Sequence, residues 1–305
     1  MSITRAAEIL ARGGLVAFPT ETVYGLGADA TNATAVARIF EAKGRPRFNP
    51  LISHILGLDD AEQHAHLHPN ARSLSDRFWP GPLTIVAPRR AESTVAELAC
   101  AGLSTIALRA PAHPMARDLL AAFGKPIVAP SANRSGHVSA TTAQHVADDL
   151  ADHVALVLDG GPTPIGLEST IVAIGNDGRA TLLRSGAIAR ADLESITGPL
   201  ATPQHGAIES PGMLESHYAP RARLRLDADG PRDGEAYLAF GAPAPAHGLT
   251  LSATGDLIEA AANLYAHLRA LDASGAQTIA VAPIPSHGLG EAIRDRLQRA
   301  AAPRS

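Results

Sequence analysis

Thr105-Ile106-Ala107-Leu108, a helical pattern over residues 112–123, and Ile127-Val128-Ala129 followed at once by Pro130-Ser131-Ala132-Asn133-Arg134-Ser135-Gly136 form the passage on which the fold turns. A short apolar run, an amphipathic stretch and a second short apolar run read as strand, helix and strand. The polar loop after them leads to another helical pattern at residues 141–150. Ser131 and Asn133 are therefore expected on a loop at the carboxyl edge of a sheet. Ligands collect at such edges because backbone N–H groups and short side-chain donors point outward there.

The alternation continues in both directions. Residues 4–12 read as a short helix stopped by Gly13-Gly14, and Leu15-Val16-Ala17-Phe18 as a buried strand. Val36, Ile39 and Phe40 stand at helical spacing between Asn32, a cap, and Gly44, a stop. Leu51-Ile52, residues 83–86 and residues 156–158 are further strand-like runs. Residues 170–174 and 181–183 flank Asn176-Asp177-Gly178, a hairpin signal. Helices alternating with strands, plus a hairpin, predict an α/β fold on a twisted mixed sheet with flanking helices.

After Gly198 the periodicity lapses, and residues 199–220, rich in Pro, Gly, Ser and His, read as a linker. Residues 237–240 and 278–282 are strand candidates, and Leu257, Ala261, Leu264, Tyr265, Leu268 and Leu271 trace one face of a long helix. Ile293 and Leu297 mark a terminal helix. The expected division is an α/β unit over residues 1–198, a linker over 199–222 and a smaller C-terminal α/β unit over 223–305.

Composition narrows the function. The 305 residues are 46% hydrophobic and 18% charged, which excludes a disordered chain. The net charge of −4 leaves no large basic field for gripping nucleic acid through its phosphates. A single cysteine, Cys100, rules out disulfide frameworks and cysteine-ligated zinc. Met1-Ser2-Ile3-Thr4-Arg5 lacks the order of a signal peptide, and no apolar run approaches the roughly 18 residues of a membrane span. A cytoplasmic location without a membrane partner is expected.

Familiar nucleotide motifs fail. There is no Walker-type phosphate loop and no G-x-S-x-G elbow. Gly25-Leu26-Gly27-Ala28-Asp29-Ala30 fits G-x-G-x-x-A, but the six residues 19–24 separate it from the preceding strand, so it reads as a glycine-rich connection. His64, His66 and His68 could share a strand face and bind a metal, but their polar surroundings favour a solvated helix end. Lys43-Gly44-Arg45-Pro46-Arg47 places three cations where a helix stops, which suits a polyphosphate; the plainer alternative is that they offset the helix dipole in solvent. Polar clusters recur at strand ends in Gly166-Leu167-Glu168-Ser169-Thr170 and Arg184-Ser185-Gly186.

Together these segments resemble the YrdC-like family in its longer, two-domain, threonylcarbamoyl-AMP-forming branch. The matching stretches are Phe18-Pro19-Thr20-Glu21-Thr22-Val23-Tyr24-Gly25-Leu26, Lys43-Gly44-Arg45-Pro46, Asn49-Pro50-Leu51-Ile52-Ser53-His54 and Trp79-Pro80-Gly81-Pro82-Leu83-Thr84. The match continues through Pro130-Ser131-Ala132-Asn133, Glu168-Ser169-Thr170, Leu183-Arg184-Ser185-Gly186, Ser210-Pro211-Gly212-Met213 and His217-Tyr218-Ala219-Pro220. The resemblance implies synthesis of threonylcarbamoyl-AMP and pyrophosphate from L-threonine, bicarbonate and ATP. The product would pass to a tRNA threonylcarbamoyl transferase for modification beside the anticodon, and a weak direct contact with tRNA is compatible with it.

The resemblance also assigns residues. Catalysis falls to Lys43 and Arg45, and ATP to Lys43, Arg45, Asn49, Thr105, Ser131, Asn133, Ser139, Arg184 and Tyr218. Threonine falls to Thr22, His54, Arg109, Ala129 and Ser169, with a bidentate pair expected between Arg109 and the threonine carboxylate. Mg2+ is expected with ATP, held by phosphate oxygens, and no protein metal site is expected. Met213 and Tyr218 predict a linker that folds over the nucleotide as a lid. Lys43 and Arg45, following a helix stop, are expected to be partly exposed. Two other functions compete. An RNA-binding module could use Lys43, Arg45 and Arg47, but aromatics are only 4%, poor for stacking on bases. A carbamoyl-transfer domain of the hydrogenase-maturation type lacks its usual C-x-x-C companion here.

Overall fold

A computed structural model of the chain describes residues 2–203, 210–212, 216–246 and 248–303. The first elements are α1 (Ile3–Ala11), β1 (Val16–Pro19), β2 (Tyr24–Asp29), α2 (Ala33–Lys43), β3 (Ile52–His54), α3 (Leu58–His64), α4 (Pro69–Phe78) and β4 (Leu83–Pro88). They continue with β5 (Thr105–Arg109), α5 (Pro114–Phe123), β6 (Ile127–Val128), α6 (Ala143–Leu150), β7 (Leu156–Val157), β8 (Thr170–Ile174), β9 (Ala180–Arg184) and α7 (Arg190–Thr197). A second group comprises β10 (Arg223–Arg225), β11 (Ala236–Ala239), β12 (Gly248–Thr250), α8 (Leu257–Ala273), β13 (Thr278–Val281) and α9 (Leu289–Ala301).

The first group builds a nine-stranded sheet in the order β7-β1-β2-β6-β3-β5-β4-β8-β9. The pairs β1/β7, β3/β5 and β4/β8 are parallel and the rest antiparallel, so the sheet is mixed as the hairpin signal implied. The second group forms a parallel four-stranded sheet, β10-β13-β11-β12. Strand periodicity sorts the core. Val16 and Phe18 pack with Leu10 of α1 and Leu119 and Leu120 of α5, whereas Leu15 and Ala17 join Val36, Ile39 and Phe40 of α2 on the opposite face.

Local chemistry sets the ends of α2. Asn32 accepts the Thr34 and Ala35 amides, and Gly44 closes the helix in the left-handed conformation at φ 59°. The glycine-rich stretch at residues 25–30 is a correction, because Gly25 and Gly27 lie inside β2. A Cβ on Gly27 would stand 2.8 Å from the Phe18 ring and 3.1 Å from Ile127, so glycine lets the aromatic ring lie flat on the sheet. The histidine reading also changes. His64 is buried with Nδ1 on Ser93 Oγ, and His68 caps α4 by accepting the Asn70 amide.

The two groups share one core. Val23, Val138 and Leu167 of the first pack with Tyr218, Leu264, Tyr265, Leu268 and Ile293. A chain cut after Gly198 would expose that surface. Among the described residues no helix is long and apolar enough to cross a membrane.

Candidate active site

Ile52 and His54 alternate on β3 toward one face of the sheet, and the register sets His54 beside Arg109 at the end of β5. The Ala129 amide bonds the Ile52 carbonyl, carrying the chain on to Ser131. Because β6 runs antiparallel to β3, the site lies across the face of the sheet instead of along one carboxyl edge. Arg45, His54, Arg109, Ala129, Ser131, Ser169, Arg184 and Tyr218 line this one cavity. These sequence-predicted residues thus converge from seven separate stretches of chain.

Its electrostatics are lopsided. Lys43, Arg45 and Arg184 are 4%, 7% and 8% exposed, which corrects the expectation of partial exposure. Lys43 donates to the Ser131 and Asn133 carbonyls, and Arg45 to the carbonyls of Asn49 and Pro50. Arg184 donates to the carbonyls of Ser169 and Pro211 and to Ser169 Oγ. Among the described residues none of the three has a carboxylate in ion-pair range. Burial, then the neighbouring Arg45, pushes the Lys43 amine well below its ordinary 10.5, and burial brings Arg45 down to about 10. Polar atoms around them are buried without a partner: both side-chain termini of Asn49, Asn133 Oδ1, His54 Nδ1 and Tyr218 Oη. Three buried cations beside idle donors have the chemistry that a polyanion would satisfy.

The other end of the cavity is balanced. Arg109 Nη2 pairs with Glu21 Oε1 at 2.6 Å and Nε donates to the Gly81 carbonyl at 3.3 Å. Two of the five guanidinium donors are engaged, which leaves both Nη1 hydrogens and one on Nη2 for a carboxylate. His54 is driven down to about 3, chiefly by burial and then by Arg109, and is neutral. Thr22 is buried with its hydroxyl on Thr20, and Ser169 Oγ meets Thr84 Oγ1 at 2.7 Å. A larger cleft of about 650 Å³ between α6 and α8 differs in kind, since its Arg269 is already paired with Asp149 at 2.6 Å.

Residues 8–186 match the Sua5–YciO–YrdC family (telomere recombination), and residues 188–302 match the C-terminal domain of threonylcarbamoyl-AMP synthase. The chain is 39% identical to the threonylcarbamoyl-AMP synthase of Bacillus subtilis, over 98% of this chain and 92% of that one. It is 40% identical to that of Pyrococcus abyssi, over 97% and 92%. The chain belongs to the threonylcarbamoyl-AMP synthase family. The crystal structure of P. abyssi Sua5 complexed with L-threonine superposes with a TM-score of 0.90 at 38% identity, covering 98% of this chain and 94% of that one.

Not every residue suggested by the family resemblance lines the cavity: Thr22, Lys43, Asn49 and Asn133 are buried behind its wall, and Thr105 and Ser139 do not line it either. Thr105 opens β5 opposite Pro88, four residues and about 13 Å along the strand from Arg109. Ser139 donates to Glu168 Oε1 at 2.5 Å and braces that side chain. Glu21 and Glu168 sit inside matched motifs but were given no role from sequence. Arg296 and Tyr265, which bond Glu168 from the second unit, stand in a region without a recognisable motif.

The linker ends cover the cavity. Tyr218, at φ 63° and 1% exposed, stacks on Tyr265 and lies beneath the Arg296 guanidinium. Gly212, at φ +86°, packs so closely that a Cβ would stand 2.6 Å from Tyr218 Oη and 3.0 Å from Arg184 Cδ. Met213 lies outside the described residues.

Proposed function

We propose that the chain condenses L-threonine, bicarbonate and ATP into threonylcarbamoyl-AMP and pyrophosphate, acting in the cytoplasm and supplying a tRNA threonylcarbamoyl transferase. The threonine amine captures carbon dioxide or bicarbonate as a carbamate. A carbamate oxygen then attacks the α-phosphorus of ATP, and the bond to the bridging oxygen breaks with its electron pair leaving on pyrophosphate. No enzyme nucleophile is required, so catalysis is positioning and charge neutralisation.

Burial of Lys43, Arg45 and Arg184 with neutral partners alone is the observation that supports this function. They take the phosphates, with Ser131, Asn133 and Asn49 toward the rest of the nucleotide. Arg109 takes the threonine carboxylate, while Thr22, His54, Ala129 and Ser169 surround the amino acid. A neutral His54 adds no charge beside the amine. The nearby carboxylates are committed, Glu21 to Arg109 and Glu168 to Arg296, and no group of three metal-ligating side chains exists among the described residues. Mg2+ therefore enters as part of the MgATP substrate, held by phosphate oxygens.

The cavity measures about 40 Å³, against roughly 300–1,000 Å³ for ligand pockets. The segments at Pro211-Gly212 and His217-Tyr218 must swing away for ATP to enter and close over it afterwards, shielding the labile carbamate from water. An RNA-binding role fits less well, because Lys43 and Arg45 are too buried to follow a nucleic-acid backbone. The test is pyrophosphate release by the full chain with threonine and bicarbonate each present or omitted. Release that depends on both is expected; release indifferent to either overturns the assignment.

A further inference from the structure

Arg296 lies on α9, in the second unit, yet it heads the largest fully buried side chains, at 1% exposure. Its Nε donates to Glu168 Oε2 at 2.8 Å, and its Nη2 donates to the Ser185 carbonyl at 2.9 Å. Glu168 stands just ahead of β8 and Ser185 directly follows β9. One guanidinium thus ties together the two open ends of that hairpin. The residues beside these anchors, Ser169 and Arg184, line the cavity, and Arg184 donates to Ser169 O and Oγ at 3.0 and 3.1 Å. Tyr265 of α8 donates its hydroxyl to Glu168 Oε2 at 2.8 Å, and Ser139 occupies Oε1.

Both Glu168 oxygens are engaged by the protein, Oε2 by two donors and Oε1 by one. A buried carboxylate persists only with charge-assisted partners, and two of its three side-chain partners come from the second unit. Simple glue between units could sit anywhere along their contact. This pair sits instead in the wall of the phosphate end, where a small shift of the hairpin ends displaces Arg184. A lysine could not reproduce the grip, because it offers a point charge in place of a fork reaching two acceptors.

We propose that Arg296 and Tyr265 are positioning residues for adenylate formation: by fixing Glu168 and Ser185 they hold Arg184 in place for the ATP phosphates, so the second unit completes the nucleotide site. This rests on the phosphate role given to Arg184 above. Neither residue lines the cavity; both act on it through Glu168, and both also pack against the Tyr218 ring.

The test compares full-length wild type, Arg296→Lys and Tyr265→Phe by calorimetric titration with MgATP and separately with threonine, alongside thermal unfolding. Loss of one charge-assisted bond should weaken MgATP binding roughly tenfold in Arg296→Lys, and about threefold in the milder Tyr265→Phe. Threonine affinity should fall clearly less than MgATP affinity in both, since Arg109, which takes the carboxylate, lies outside the clamp and only Ser169 of the threonine pocket adjoins it. Unchanged MgATP affinity with a lowered melting temperature would make the network mere glue and overturn the proposal, as would equal weakening for both ligands. Should Arg296→Lys fail to fold, Tyr265→Phe decides alone. Because binding needs no turnover, a wild type that releases no pyrophosphate would refute the reaction while this comparison still stands.

Discussion

Glu21 Oε1 lies 2.6 Å from Arg109 Nη2 with both side chains nearly sealed from solvent, and its other oxygen accepts the Ala112 and His113 amides ahead of α5. One carboxylate therefore aims the guanidinium and anchors a helix entrance. Glu21→Gln keeps the shape and removes the charge, leaving a buried cation without compensation. Unfolding in denaturant should lose about 3 kcal/mol, and the threonine KM should rise while the KM for ATP holds. An unchanged threonine KM would detach Glu21 from substrate binding.

Acid should loosen the contact between the two units. Burial alone raises the Glu168 carboxyl, but the Arg296 and Arg184 guanidiniums with the Ser139 hydroxyl bring it from its ordinary 4.5 to about 2. A carboxyl held low in the folded state adds stability above its unfolded value and loses it as pH falls through the folded one. Glu168 should thus contribute about 3 kcal/mol at neutral pH that disappears between about pH 4.5 and 2. Glu21 is also lowered and acts in the same sense. Unfolding free energy measured across that window should fall less steeply in Glu168→Gln than in wild type.

Lys43 has a structural duty beside its phosphate role. Lys43→Met leaves the Ser131 and Asn133 carbonyls without their donor, at about 1–3 kcal/mol for each buried group. Removing the charge should also cost about 2–4 kcal/mol in transition-state stabilisation. Arg45→Met should lose turnover comparably and also cost stability, since it leaves the Asn49 and Pro50 carbonyls without their donor. Pyrophosphate release and melting temperature, measured on both variants, separate the two effects. Normal turnover in both would remove the cations from catalysis.

Gly212→Ala tests the cover. The added methyl meets Tyr218 Oη and Arg184 Cδ, and the φ of +86° is itself unfavourable for alanine. The chain should fold with a near-normal melting temperature yet bind ATP more weakly and let the product hydrolyse sooner. Product lifetime matching wild type would leave the segment a tether.

Much of the fold was legible locally. Asn32 and Gly44 bound α2 because a cap and a left-handed stop act within one turn of the chain. Asn176-Asp177-Gly178 turns β8 into β9 for an equally local reason, with Gly178 at φ +77° and Asp177 accepting the Arg179 amide. β2 was hidden because Gly25 and Gly27 weaken any strand signal, and only the close approach of Ala129 to Gly25 and of the Phe18 ring and Ile127 to Gly27 explains the choice.

The sequence by itself determined the alternation of helices and strands, the hairpin, and the motif residues that reach the cavity. Their chemistry is written in residue type and spacing. Tertiary structure alone decided that Lys43 and Arg45 are buried, that Thr105 stands at the other end of β5 from Arg109, and that Arg109 has already spent part of its fork on Glu21. It also brought Arg296 to Glu168 across a sequence separation of 128. Periodicity reports which face of an element is apolar, but not which distant element covers it; burial, and the charge balance that follows from burial, belongs to the packed whole.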